Sequence, residues 1–143
     1  MNTARKLILA TATAVALSSC AMMPGNSVHL GGNLSGAQEV PPVSTAGTGT
    51  LDATYDKNSH KLAYTVNYSG LTGPATAAHF HGPAALGQNA AVIVPFPNAA
   101  DPIKGEATLT DAQAADLLAG RWYVNVHTRA HPGGEIRAQV TTR

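Results

Sequence analysis

The chain has 143 residues, of which 12% are charged and 44% hydrophobic, and its formal net charge at pH 7 is +1. It contains a single cysteine, so no disulfide can form within the chain. There is no basic excess or basic cluster, which excludes nucleic acid as the expected partner. The length predicts one domain with a core of its own.

The N-terminus has the pattern of an export signal. Arg5 and Lys6 precede an apolar run at residues 7–17, which is too short to cross a bilayer as a helix. The run ends in Leu17-Ser18-Ser19-Cys20, which resembles the lipobox of bacterial lipoproteins. This resemblance implies cleavage before Cys20, acylation of Cys20 and stable anchoring of the mature protein in a lipid bilayer.

This resemblance places a signal peptide at residues 1–19. The small and polar residues that follow predict a lipidated tether over 20–32, and the domain is expected over 33–143. Removal of the signal takes away two of nine basic residues and leaves eight acidic ones, so the mature net charge is −1. The second residue after the cleavage site is not aspartate. In a Gram-negative host this implies the outer membrane, and the expected location is its periplasmic face.

The domain consists mainly of short runs in which apolar and polar residues alternate, separated by turn residues. Such runs are typical of half-buried strands. The predicted strands are 47–55, 62–68, 76–81, 91–96, 103–109, 121–127 and 135–141.

One helix is predicted over Asp111–Leu118. Thr110 is its expected cap, Gln113 is the capping-box partner, and Gly120 stops it. The predicted fold class is therefore all-β, an antiparallel Greek-key-like β-sandwich with one short helix.

Four of the six histidines fall in two short clusters, one at His79 and His81 and the other at His127 and His131. Side chains alternate along a strand, so His79 and His81 point the same way. His127 ends an alternating run, and His131 follows after three residues. If the clusters meet, they form an all-nitrogen site that suits copper, which we expect first, or zinc.

Two polar residues near the second cluster are candidates to orient the imidazoles as hydrogen-bond acceptors. Asn125 shares the predicted strand face of His127, and Glu135 follows the next turn. Glu135 fits a salt bridge or turn role equally well. His29, in the predicted tether, and His60, in a predicted turn, are expected to be exposed and outside the site.

Four motifs, in order, resemble the CHRD domain over about residues 33–141. They are Leu34-Ser35-Gly36-Ala37-Gln38-Glu39-Val40-Pro41-Pro42, Ala78-His79-Phe80-His81-Gly82-Pro83-Ala84, Tyr123-Val124-Asn125-Val126-His127-Thr128 and His131-Pro132-Gly133-Gly134-Glu135-Ile136-Arg137. The resemblance implies an all-β fold and leaves the activity open. The sequence departs from the family pattern at Ala138, where glycine is usual.

The histidine order is also similar to that of copper-zinc superoxide dismutase, a Greek-key sandwich. The similarity implies that His79 and His81 match its paired copper ligands and His127 its late-strand ligand. The zinc side has no counterpart, because residues 82–126 contain no histidine, and the dismutase disulfide is absent too.

Three functions remain open at this stage. The leading hypothesis is a membrane-anchored periplasmic protein that binds one copper ion through His79, His81, His127 and His131 and acts in copper buffering, storage or delivery. The first alternative is a copper-only redox enzyme. A site with three histidine ligands, in which His131 does not bind the metal, would favour this alternative. The second is an interaction module without metal, whose protein partner the sequence does not reveal. No hydrolase or phosphate-binding motif is present.

Overall fold

The computed structural model describes residues 25–143, so the predicted signal peptide and Cys20 lie outside the described residues. Within residues 25–143, nine strands and one α-helix are formed. The strands are β1 (Ser27–Ser35), β2 (Thr48–Asp56), β3 (Lys61–Ser69), β4 (Ala75–His81), β5 (Val92–Pro95), β6 (Ile103–Thr108), β7 (Tyr123–Thr128), β8 (Ile136–Gln139) and β9 (Thr141–Thr142). Helix α1 spans Asp111–Leu118, and a 3-10 turn spans Gly36–Gln38.

The strands form one antiparallel sheet that curls until it is nearly closed as a barrel or sandwich. Their order is β5-β4-β7-β8-β1-β2-β3-β6, with β9 also paired to β1. Strands β1, β2 and β3 form a meander, and β8 pairs with β1 on its other edge. The predicted fold class is confirmed.

Alternation of apolar and polar residues determines which strand face forms the core. In β3, Leu62, Tyr64 and Val66 are buried, while the residues between them are exposed or half-buried. Tyr64 stacks on Phe96 with ring centroids 4.4 Å apart. The core therefore lies inside the curled sheet.

Helix α1 has the predicted bounds. The Thr110 hydroxyl accepts a hydrogen bond from the Gln113 backbone N–H at 3.2 Å, and the Gln113 side chain accepts from the Thr110 backbone N–H at 2.9 Å. Ala114 and Leu117 are its buried residues, so one face of this short helix packs against the core. None of the helices within residues 25–143 has the length and apolar character needed to cross a membrane.

Strand β1 begins at Ser27, so residues 27–32 of the segment expected to be tether form part of the sheet. Gly31 and Gly32 had suggested a flexible segment. In the structure a Cβ at Gly32 would lie 2.8 Å from both the Ala138 Cβ and the Gln139 carbonyl oxygen. Glycine here allows close approach of two strand backbones.

Strand β7 is buried on both faces along its whole length. Val124 and Val126 belong to the core, while Tyr123, Asn125 and His127 alternate with them and face the other side of the sheet. Loop residues cover this outer face, as the hydrogen bonds described below show. The polar side chains of β7 are thus held in a covered position outside the core.

Candidate metal centre

Strands β4 and β7 bring three histidines to the outer face of the sheet. The two strands pair antiparallel, with His79 opposite Asn125 and Ala77 opposite His127. Ala78 and Phe80 of β4 belong to the core, so His79 and His81 project to the face that also carries His127. The clusters meet because β4 and β7 are neighbours in one sheet.

The three imidazoles converge closely enough to hold one ion. One nitrogen from each of His79, His81 and His127 lies within 4.8 Å of the other two. His79 Nδ1 and His127 Nε2 are 3.1 Å apart. His81 and His127 are each 8% exposed, whereas His79 is half-buried, so the cluster opens to solvent on the His79 side.

Backbone carbonyls in two loops determine the tautomers of two of the histidines. His81 Nδ1 lies 3.0 Å from the Ala90 carbonyl oxygen, and His127 Nδ1 lies 2.9 Å from that of Pro132. A carbonyl oxygen can only accept, so each Nδ1 carries the hydrogen. The Nε2 lone pairs therefore face the cluster, which is how metal-bound imidazoles are usually held.

The same surroundings keep the imidazoles neutral. Burial, together with the nearby His127 and His81, lowers the pKa of His79 to about 4. Burial also lowers the pKa of His81 and of His127, although hydrogen bonds to Ala90 and Pro132 act in the opposite direction. A metal ion requires neutral imidazole, so protons compete for these nitrogens at a lower pH than for free imidazole.

Two of the predicted site residues lie outside the three-histidine group. His131 is not one of its members, and backbone hydrogen bonds between Thr128 and His131 close the turn after β7. Glu135 does not contact an imidazole. Its carboxylate accepts hydrogen bonds from Thr45, Thr72 and Thr128 instead, and it is fully buried.

Asn125 does lie against the histidines, as the shared strand face predicts. It is 2% exposed, and its Oδ1 is 3.0 Å from His81 Nε2 and 2.9 Å from His127 Nε2. His29 and His60 lie outside the cluster. His29 is exposed on β1, and His60 occupies the turn after β2 with a positive φ of 57°.

Two residues beside the histidines were missed by the sequence analysis. The Tyr123 ring stacks on the His81 ring, with centroids 4.6 Å apart and planes 3° from parallel. Arg137 Cζ lies over the Tyr123 ring, 3.5 Å from its centroid. Arg137 is 1% exposed and donates to the Gln88 carbonyl oxygen and the Asn89 side chain. The sequence indicates Arg137 only by its position between two apolar residues of β8.

Glu39 is a third missed residue. It is 5% exposed, and its Oε1 has no hydrogen-bond partner within residues 25–143. Burial raises the pKa of Glu39 to about 7, although the charge of Arg137 acts to lower it. The folded state thus favours the protonated carboxyl, whereas the unfolded chain has the ordinary value of 4.5.

Replacement of Glu39 by glutamine is expected to stabilise the metal-free protein at pH 8 by about 2–3 kcal/mol and to change little at pH 4. The wild-type protein loses stability as the pH rises from 4.5 to 7, because the buried carboxyl must then ionise. The neutral amide does not. Urea unfolding of both proteins at the two pH values measures the effect, and a difference that does not depend on pH would contradict it.

A family model described as the CHRD domain matches residues 30–140 of the chain. Comparison with curated proteins gave no match, and comparison with solved structures gave none. The match includes both histidine strands and extends from β1 to the end of β8. The chain therefore belongs to the CHRD domain family.

Proposed function

We propose that this domain binds a single metal ion through His79, His81 and His127, with copper as the preferred ion and zinc as the second choice. The observation that carries the proposal is the convergence of three neutral imidazoles, two of them held with Nε2 toward the cluster. Imidazole suits both metals, and the affinity of divalent ions rises to a maximum at copper.

The physiological role that we propose is copper buffering, storage or delivery at the periplasmic face of the outer membrane. The lipobox at residues 17–20 supports a lipid anchor, and the exposed edge of His79 gives the ion a route in from solvent. A site on the outer face of the sheet can be loaded and emptied without opening the core.

A copper-only redox enzyme is the second candidate, favoured by one observation. His131 lies outside the group, so it does not fill a further coordination position. An enzyme of this type needs a position that a small substrate can reach. An interaction module without metal is the third candidate, in which the histidines would be structural.

The deciding measurement is the metal content of the full chain, expressed with export and purified without added chelator. One copper or zinc per protein supports the proposal, and no metal after exposure to either ion contradicts it in favour of the interaction module. A superoxide assay on the copper-loaded protein, with free copper as reference, then separates the two metal-based candidates.

Lipid anchoring has its own test. Cys20→Ala is expected to abolish acylation and to move the protein out of the membrane fraction or leave it unprocessed, because the lipidated thiol is gone. Fractionation with fatty-acid labelling measures this, and Ser19→Ala is the matched control, since it keeps a small residue in the motif. A variant that remains lipid-labelled at the membrane would refute the anchor.

A further inference from the structure

The carboxamide of Asn125 closes a further side of the histidine cluster. Its Oδ1 lies 2.9 Å from His127 Nε2 and 3.0 Å from His81 Nε2, and the register of β4 and β7 places Asn125 directly opposite His79. One amide oxygen thus lies against two of the three clustered imidazoles, on the same pair of adjacent strands. Ligand atoms on a tetrahedral ion with bonds of about 2.0–2.1 Å are separated by about 3.3 Å, a spacing close to these distances.

These contacts lack a proton. The Nδ1–H groups of His81 and His127 donate to backbone carbonyls, so both Nε2 atoms are acceptors. The Asn125 Oδ1 is also only an acceptor. Two acceptor–acceptor contacts at hydrogen-bond distance are unfavourable unless a cation lies between them.

The other end of the carboxamide explains why the oxygen faces the imidazoles. Asn125 Nδ2 lies 3.5 Å from the Gly133 carbonyl oxygen, and a Cβ at Gly134 would collide with both Nδ2 and the Glu39 carboxyl. The amide N–H groups therefore face the Gly133 carbonyl oxygen. Turning the amide over would place Oδ1 against that carbonyl oxygen, which is also only an acceptor.

We propose that Asn125 Oδ1 is the fourth ligand of the metal site, which gives a coordination sphere of three nitrogens and one oxygen. This inference rests on the proposed function. An amide oxygen is a harder donor than imidazole and suits divalent ions. The side chain of Asn125 therefore makes the site prefer Cu(II) or Zn(II) over Cu(I).

The test uses two Asn125 variants and one control variant of the full chain. It measures their affinities for Cu(II) and for Cu(I) by competition with chelators. Asn125→Leu removes the oxygen at similar size and is expected to lower Cu(II) affinity at least about tenfold, with Cu(I) affinity nearly unchanged. Asn125→Asp keeps an oxygen and adds charge, so it is expected to raise the preference for Cu(II). Asn67→Leu, at an exposed position of β3, is the matched control.

Electron paramagnetic resonance of the Cu(II) forms supplies a second readout. The copper hyperfine splitting is expected to change in Asn125→Leu and to stay at the wild-type value in Asn67→Leu. Unchanged Cu(II) affinity and spectrum in Asn125→Leu overturn the inference. So does an equal loss for both oxidation states with an unaltered circular dichroism spectrum, because that pattern shows a positioning role.

Two further results keep the inference separate from folding and from the proposed function. If Asn125→Leu does not fold, the aspartate variant decides, and an unchanged ratio of Cu(II) to Cu(I) affinity overturns the inference. If wild type binds metal and Asn125→Leu binds it equally well, only the fourth ligand is wrong. If wild type binds neither metal ion, the proposed function fails and this inference fails with it.

Discussion

Copper affinity is expected to fall by more than about 100-fold when His127 or His81 is replaced by alanine. Loss of a group that merely orients a ligand already lowers metal affinity about 10–100-fold, so loss of the ligand itself has a larger effect. Both imidazoles are buried with Nε2 toward the cluster, and water is a weaker substitute for either nitrogen. Copper titration against a competing chelator measures the change.

His29→Ala is the matched control for these variants. His29 is exposed on β1, where its Nδ1 lies 3.3 Å from the Thr54 hydroxyl, so its loss should leave copper affinity unchanged. His60 is less suitable, because its positive φ would strain alanine. His131→Ala should resemble the control, since His131 lies outside the group. Equal copper affinity in His81→Ala, His127→Ala and His29→Ala would end the metal-site hypothesis.

The free energy of unfolding is expected to fall by about 3 kcal/mol or more when Glu135 is replaced by alanine. The buried carboxylate accepts hydrogen bonds from the hydroxyls of Thr45, Thr72 and Thr128 and from the Thr72 backbone N–H. Alanine leaves these donors without their acceptor. Urea unfolding at pH 7 measures the loss.

The same contribution depends on pH. Burial alone would raise the pKa of Glu135, but hydrogen bonds from Thr128, Thr45 and Thr72 outweigh it and hold the value at about 2, against 4.5 in the unfolded chain. The carboxylate therefore stabilises the fold above pH 4.5, and this contribution is lost as the pH falls toward 2. The difference in the free energy of unfolding between the wild-type protein and Glu135→Ala should therefore decrease over that pH interval.

Glu106→Ala is the control for Glu135→Ala. Glu106 is exposed, and its Oε2 lies 3.3 Å from Lys61 Nζ. A surface ion pair of this kind contributes about 0–1 kcal/mol to the free energy of unfolding. If Glu135→Ala lowers the free energy of unfolding at pH 7 by no more than Glu106→Ala does, the hydrogen-bond network around Glu135 does not stabilise the fold.

Alternation of residue type was enough to predict most of the fold. Leu62, Tyr64 and Val66 face the core as their period-2 spacing requires, and Thr110 with Gln113 marks the start of α1. Strand β1 was missed because Gly31 and Gly32 are typical of linkers. Their role becomes visible only when the neighbouring strand and its close approach are known.

In the candidate site, the residues that lie close together come from strands, whereas His131 and Glu135, which follow turns, lie outside the group. His79, His81, Asn125 and His127 have directions fixed by strand alternation. The direction of a side chain in the turn after β7 depends on its backbone conformation, which residue types there did not specify. The Ala90 and Pro132 carbonyls that fix the tautomers come from loops, and backbone atoms leave no residue-specific signal.

The alternation of core and site residues along β7 has a consequence for how such domains can diverge. Val124 and Val126 serve the core, while Asn125 and His127 serve the outer face, so substitutions at the two sets act on different properties. A descendant can exchange its outer-face residues for new chemistry while Val124 and Val126 keep their places in the core. A one-residue insertion in this strand would exchange the two sets and abolish both properties at once. Drift in this lineage should therefore conserve spacing more strictly than the residues on the outer face.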